Sequence, residues 1–238
     1  MDPADKMIVA LDYASWPEAE ELVKALPNVK FFKVGLELYL GSSGLAVPKL
    51  RGMGKEVFLD LKFHDIPHTV AQAARRAVSQ GVSIFNLHAA GGREMMVKAA
   101  QATCEQADIL KVKKPLLLAV TVLTSLNEQD LSEIGLGRVA ETVATWAAMA
   151  QKAGLDGVVA SPWEIKMIRE TCGPDFTIIC PGVRPVWSAS GDQKRILTPG
   201  EAISQGADYL VIGRPITRSG DPREAAAKIL HEIETAGL

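Results

Sequence analysis

Glu56-Val57-Phe58-Leu59-Asp60-Leu61-Lys62 is the stretch that decides how this chain folds. Successive side chains of a strand point to opposite faces. Phe58, Asp60 and Lys62 therefore share one face, and Val57, Leu59 and Leu61 the other. Other short runs repeat the pattern: Ile8, Ala10 and Asp12 stand opposite Val9 and Leu11, Phe31 and Lys33 share a parity, and Asn86 and His88 stand opposite Phe85 and Leu87. In each run the polar residues gather toward the C-terminal end. In a closed barrel of parallel strands one parity faces the interior, and the C-terminal mouth carries the active site. A solvated rim would also accept charges at strand ends. Asp60 and Lys62, however, are flanked by apolar neighbours within one short strand, where charge is costly unless paired or used.

Working outward, the runs that read as strands are 7–12, 30–34, 56–62, 83–88, 116–122, 157–160, 177–180 and 209–212. Helical period appears between them over 16–26, 69–80, 93–106, 138–153 and 223–236. Ser15 is placed to cap the first helix, with Pro17 and Glu18 in its opening turn, and Gly81 and Gly154 stop two others. About eight β-then-α units in 238 residues fit a closed (β/α)₈ barrel or a doubly wound open sheet. No G-x-G-x-x-G follows the first strand, and Gly91-Gly92 lies only after the fourth. With no linker or composition shift to divide the chain, the expectation is α/β, a single TIM-barrel domain over residues 1–238.

Composition narrows the function. Hydrophobic residues make up 47% and charged residues 23%, as in a globular protein with a sizeable core. Lys+Arg 26 against Asp+Glu 28 leaves a net charge of -2, without the basic excess of a nucleic-acid binder. Aromatics, at 5%, are too few for base-stacking platforms. Cys104, Cys172 and Cys180 are an odd number without C-x-x-C spacing, so they read as reduced thiols. The longest apolar stretch, Pro115 to about Leu123, is far short of the roughly 20 residues that span a membrane. The N-terminus shows no signal-peptide pattern. The expected setting is the cytoplasm, with no membrane and no nucleic-acid partner.

The lysines indicate the chemistry. A Schiff-base lysine needs a lowered pKa, from desolvation or a neighbouring cation. Asp60 and Asp65 beside Lys62 act the other way and keep an ammonium. Such a lysine suits a site that stabilises a developing carbanion and then protonates it. After the last two strands come Pro181-Gly-Val-Arg184 and Gly213-Arg214, which offer backbone N–H groups and two guanidinium forks to an anion. In barrels of this class the loops after strands seven and eight commonly hold phosphate. The polar stretch 186–198, directly after Arg184, reads as a lid. His64 and His68 near Asp60 and Asp65 make a weak metal pattern, interrupted by Pro67, and no metal is expected. His88 reads as a hydrogen-bonded structural residue.

Asp60-Leu-Lys62-Phe-His-Asp65-Ile-Pro-His-Thr69 resembles the D-x-K-F-x-D-I-P-x-T signature of the orotidine 5′-monophosphate decarboxylase family. The wider suprafamily shares only D-x-K-x-x-D, and Ile66-Pro67 and Thr69 point to the orotidylate branch. The resemblance extends through Ala-Leu-Asp12, Lys33-Val-Gly, Asn86-Leu-His-Ala, Leu123-Thr124-Ser125, Pro181-Gly-Val-Arg184-Pro, Gln193 and Ile212-Gly213-Arg214-Pro215. It implies cofactor-free and metal-free decarboxylation of orotidine 5′-monophosphate in pyrimidine biosynthesis, by a charged array of Lys33, Asp60, Lys62 and Asp65. Lys62 would give the proton to C6, and Asp60 would lie near the departing carboxylate. Asp12 and Lys33 would hold ribose hydroxyls, Ser125 would contact the pyrimidine and Thr124 would sit beside it. Arg184, Gln193, Gly213 and Arg214 would surround the phosphate. A homodimer is implied, with Asp65 and Thr69 acting on the neighbouring subunit's substrate. The rival readings are a metal-assisted sugar-phosphate decarboxylase or aldolase of the same suprafamily, and a phosphate-binding barrel without catalysis.

Overall fold

The computed structural model describes residues 3–188 and 197–236. In chain order, β1 (Met7–Leu11) leads to α1 (Trp16–Ala25), β2 (Phe31–Gly35), α2 (Leu36–Gly41), α3 (Ala46–Gly52) and β3 (Glu56–Phe63). Next come α4 (Pro67–Ser79), β4 (Ile84–His88), α5 (Gly92–Leu110), β5 (Leu116–Val120), α6 (Glu128–Glu133), α7 (Val139–Lys152), β6 (Gly157–Val159) and α8 (Ile165–Cys172). Then β7 (Thr177–Pro181), α9 (Pro199–Ser204), β8 (Tyr209–Ile212), α10 (Arg214–Thr217) and α11 (Pro222–Ala236) complete the described chain. The strands close into a barrel in the order β1 to β8, with β8 pairing in parallel to β1. The expected (β/α)₈ barrel is the fold, and the open sheet is set aside. No helix among the described residues is long and apolar enough to cross a membrane.

The described residues pack as two compact units: Met1–Asp60 with Cys180–Leu238, and Leu61–Ile179. In the first, β8, β1, β2 and the start of β3 lie side by side, with Met7 opposite Leu210, Ala10 opposite Lys33 and Gly35 opposite Asp60. All five residues of β1 are buried, as expected of a parallel strand covered on both faces. Ser15 sits at the N-cap of α1, but its hydroxyl donates to Glu18 Oε1 at 2.8 Å instead of accepting a backbone N–H. The hydroxyl's bond to the carboxylate is charge-assisted, and it sets the orientation of the Ser15 side chain.

In the second unit β4, β5, β6 and β7 pair in parallel. Gly157 faces Thr177 so closely that a Cβ would lie 2.1 Å from the Thr177 carbonyl oxygen, so only glycine fits there. Helix α4 buries Val70, Ala74, Ala77 and Val78, a stripe at helical spacing. It starts at Pro67, two residues before the expected Thr69, because proline is preorganised for a first helical turn. Gly81 and Gly154 take φ of 70° and 85° just past α4 and α7, the left-handed stops expected of them.

Candidate active site

In the first unit three charged residues meet. The Lys33 ammonium lies 3.1 Å from Asp12 Oδ1 and 3.3 Å from Asp60 Oδ2. Lys33 stands opposite Ala10 and Phe58 in the ladder, so its side chain reaches forward, toward the C-terminal strand ends, to carboxylates two positions further on. It passes over Gly35, where a Cβ would lie 3.0 Å from its Nζ. The lysine and Asp60 side chains are 11% and 12% exposed, while Asp12 is 60% exposed. Burial works against the charged lysine, but Asp60 and then Asp12 outweigh it and hold the Lys33 pKa above its ordinary value. The magnitudes agree: at an effective dielectric near 20 an ion pair at this separation is worth ~5 kcal/mol, less for the well-solvated Asp12. Lys33 is thus a fixed cation, and Asp12 keeps open oxygen surface for a ligand.

The other side of Asp12 meets the end of β8. A Cβ on Gly213 would lie 3.6 Å from Asp12 Oδ2. Arg214 follows, exposed, at the start of α10, and Arg184 is half-buried in the loop after β7. The Arg184 N–H donates to the Leu197 carbonyl at 3.1 Å. Gln193 and residues 189–196 of the stretch read as a lid lie outside the described residues.

The second unit carries Lys62. The strand continues through it to Phe63, yet Lys62 has φ of 49°, so the regular pleat that sets parity does not extend through this residue. Its backbone N–H donates to Asn86 Oδ1 at 2.8 Å. The next two residues also face β4: the Phe63 and Phe85 rings are 6.2 Å apart, and His64 stacks on His88 at 5.5 Å. His88 touches the Trp146 ring edge and accepts the Ala90 N–H at Nδ1, the hydrogen-bonded role expected of it. Burial first, then His64 and Lys62, push the His88 pKa below its ordinary value. Asp65 and Ile66 are exposed just before α4, where Asp65 Oδ1 accepts the Ile66 N–H at 2.7 Å, and His68 and Thr69 are exposed in its first turn. Thr124 and Ser125 are exposed beyond β5. Among the described residues no three His, Cys, Asp or Glu side chains gather as metal ligands.

Direct contact therefore unites Asp12, Lys33 and Asp60, with Gly213 alongside, while Lys62 lies two residues further along β3 than Asp60. Two features had no role assigned from the residues alone: the space above Gly35 and the amide of Asn86. Asn86 left a signal, a polar residue between Phe85 and Leu87 in an otherwise apolar strand.

A closed barrel of eight parallel strands with interleaved helices defines a (β/α)₈ protein, a fold whose enzymes act at the C-terminal strand ends. The sequence comparisons specify which. Residues 5–229 match the Orotidine 5'-phosphate decarboxylase / HUMPS family, and the chain belongs to it. It is 54% identical to an orotidine 5'-phosphate decarboxylase of Moorella thermoacetica, over 98% of this chain and 94% of that one. It is 49% identical to the enzyme of that name from Syntrophomonas wolfei, over 98% of this chain and all of the other. The crystal structure of the Lactobacillus acidophilus orotidine 5'-phosphate decarboxylase superposes with a TM-score of 0.86 at 35% identity, covering 96% of this chain and 99% of that one.

Proposed function

We propose that this chain, acting as one barrel domain, converts orotidine 5′-monophosphate to uridine 5′-monophosphate and carbon dioxide in pyrimidine biosynthesis in the cytoplasm, without metal or cofactor. Family membership and the names of its relatives make it a carboxy-lyase. The observation that carries the finer reading is the Asp12–Lys33–Asp60 array, two residues before Lys62 on the same strand. The bond between C6 and the carboxylate breaks, carbon dioxide leaves, and the electron pair stays on C6 until the Lys62 ammonium delivers a proton there. Asp60 lies near the departing carboxylate, held by the fixed charge of Lys33. Asp12 and Lys33 take the ribose hydroxyls, Arg184, Gly213 and Arg214 the phosphate, and Thr124 and Ser125 the pyrimidine.

The vinylic carbanion has no adjacent electron sink, so the barrier must fall by an amount near the top of the ~8–23 kcal/mol that enzymes supply. One ammonium ~4 Å away contributes about 4 kcal/mol at an effective dielectric near 20. The rest falls to preorganised charge and to binding energy from the phosphate and ribose, far from the reacting carbon. The deciding assay is loss of orotidylate absorbance with and without EDTA. Turnover that survives EDTA supports the reading. Chelator-sensitive turnover of keto-sugar phosphates would replace it with the metal-assisted alternative, and nucleotide binding without turnover by pure protein would leave a non-catalytic barrel.

The proposed homodimer shares its sites, Asp65 and Thr69 serving the partner. In support, both are exposed, Asp65 just before α4 and Thr69 in its first turn, and between them Ile66 is an apolar side chain 66% exposed. Lys62→Ala and Asp65→Ala chains, each inactive alone, should regain roughly a quarter of parental activity when mixed and exchanged, because half the dimers are mixed and each has one intact site. An inactive mixture that demonstrably exchanges subunits would refute sharing.

A further inference from the structure

Among the described residues three that are not glycine have positive φ: Ser43, Lys62 and Lys111. Ser43 follows α2 and Lys111 caps α5, where a left-handed residue is a common helix ending. Lys62 lies inside a strand. A left-handed backbone is unfavourable for a residue with a Cβ, and such strain persists only where the surroundings over-determine it. The surroundings here are specific. Asn86 is wholly buried between Phe85 and Leu87, also buried, in β4, and its amide oxygen receives the Lys62 N–H at 2.8 Å. The two residues that follow are held by the Phe63–Phe85 and His64–His88 ring contacts. An amide in that apolar position is expensive unless it serves something.

We infer that Asn86 is a positioning residue for the reaction: it holds the Lys62 backbone in its left-handed turn and so aims the ammonium at the carbon it protonates. This rests on the proposed role of Lys62 as proton donor. Asn86 meets the Lys62 main chain in a contact that needs no ligand, so its loss alters the direction of the proton donor while leaving the phosphate and ribose contacts in place. A displacement of about 1 Å in a reacting group costs on the order of 10²-fold in rate.

The experiment compares Asn86→Leu, which keeps the approximate size and loses the acceptor, with Asn86→Asp, which keeps both. Steady-state turnover of orotidine 5′-monophosphate and thermal melting are measured for each. For Asn86→Leu, kcat should fall on the order of 10²-fold with KM within about threefold of the parent. Asn86→Asp should recover at least tenfold of that loss. If the leucine chain does not fold, Asn86→Ser, whose hydroxyl is one atom too short to reach the Lys62 N–H, carries the same comparison. A kcat within threefold of the parent, or a parallel loss of kcat, affinity and melting temperature that aspartate does not relieve, would overturn the inference. Lys62→Ala separates the two readings. If it is inactive while Asn86→Leu is normal, only the positioning role fails, and if it is active, the donor role fails and this inference with it.

Discussion

Two lysines of the same barrel are held in place by opposite means. Lys33, in the first unit, is fixed by charge: two carboxylates at 3.1 and 3.3 Å surround its ammonium, and its backbone is ordinary strand. Lys62, in the second, is fixed at the main chain, by a left-handed turn, a neutral amide and two ring contacts on the residues beside it. The difference follows the tasks proposed for them. A group that only supplies a field is best locked by ion pairs, which keep its charge constant. A group that must give up its proton is better positioned through its backbone, so that loss of charge does not loosen it.

The sharpest way to break this comparison is to remove the cation from the first unit. Lys33→Met leaves Asp12 and Asp60 without the charge between them, and breaking a largely buried pair costs about 3–5 kcal/mol. Urea denaturation should show a stability loss of about 3 kcal/mol, with kcat/KM down by on the order of 10³-fold. A methionine chain as stable as the parent would mean the triple is not held by charge.

The second effect concerns a carboxyl of the second unit. Burial pushes Glu164 up to about 7, against the lowering influence of the Ser161 N–H. Because its folded pKa lies above the unfolded value, it contributes stability that is full below about 4.5 and lost as pH rises through about 7. Glu164→Gln should therefore gain about 2 kcal/mol over the parent at pH 8 and almost nothing at pH 4.5, measured by denaturant titration at both values.

Gly35→Ala is gentler. Its Cβ would press on the Lys33 ammonium at 3.0 Å and displace it from Asp60, so kcat/KM should fall about tenfold with little change in melting temperature. The smallest effect tests the strained lysine. Glycine in a strand is ordinarily worse than alanine, but at φ of 49° the order should invert, with Lys62→Gly more stable than Lys62→Ala by about 1 kcal/mol. The ordinary order would show that position 62 is not under strain.

Much of the first unit was legible in the sequence. Parity alone placed Asp12, Lys33 and Asp60 toward one face, because an interior face of a parallel barrel is apolar except where charge is used, and the three prove to be in contact. The second unit was less so. Parity reasoning treats Lys62 as one more strand residue, and a backbone dihedral set by a partner 24 positions away leaves no local pattern. In both units the short helices α2, α3, α6, α8, α9 and α10 lie outside the helical stretches read from the sequence. At four to eight residues each they are too short to establish a helical period.

The pairing of β1 with β8 bears on how the molecule is made. Met7 meets Leu210, so that seam closes a loop of about two hundred residues, whereas residues 61–179 form one unbroken stretch whose partners lie nearby in sequence. Loop closure must be met before distant pairings are rewarded, so local contacts form first. Strand β1 has a partner nearby in sequence, β2, on one edge, whereas its other edge stays open until β8 arrives. The contacts among Asp12, Lys33 and Asp60 and the turn that Asn86 holds at Lys62 all join residues fewer than about thirty positions apart, so the seam between the two chain ends is expected to close after both.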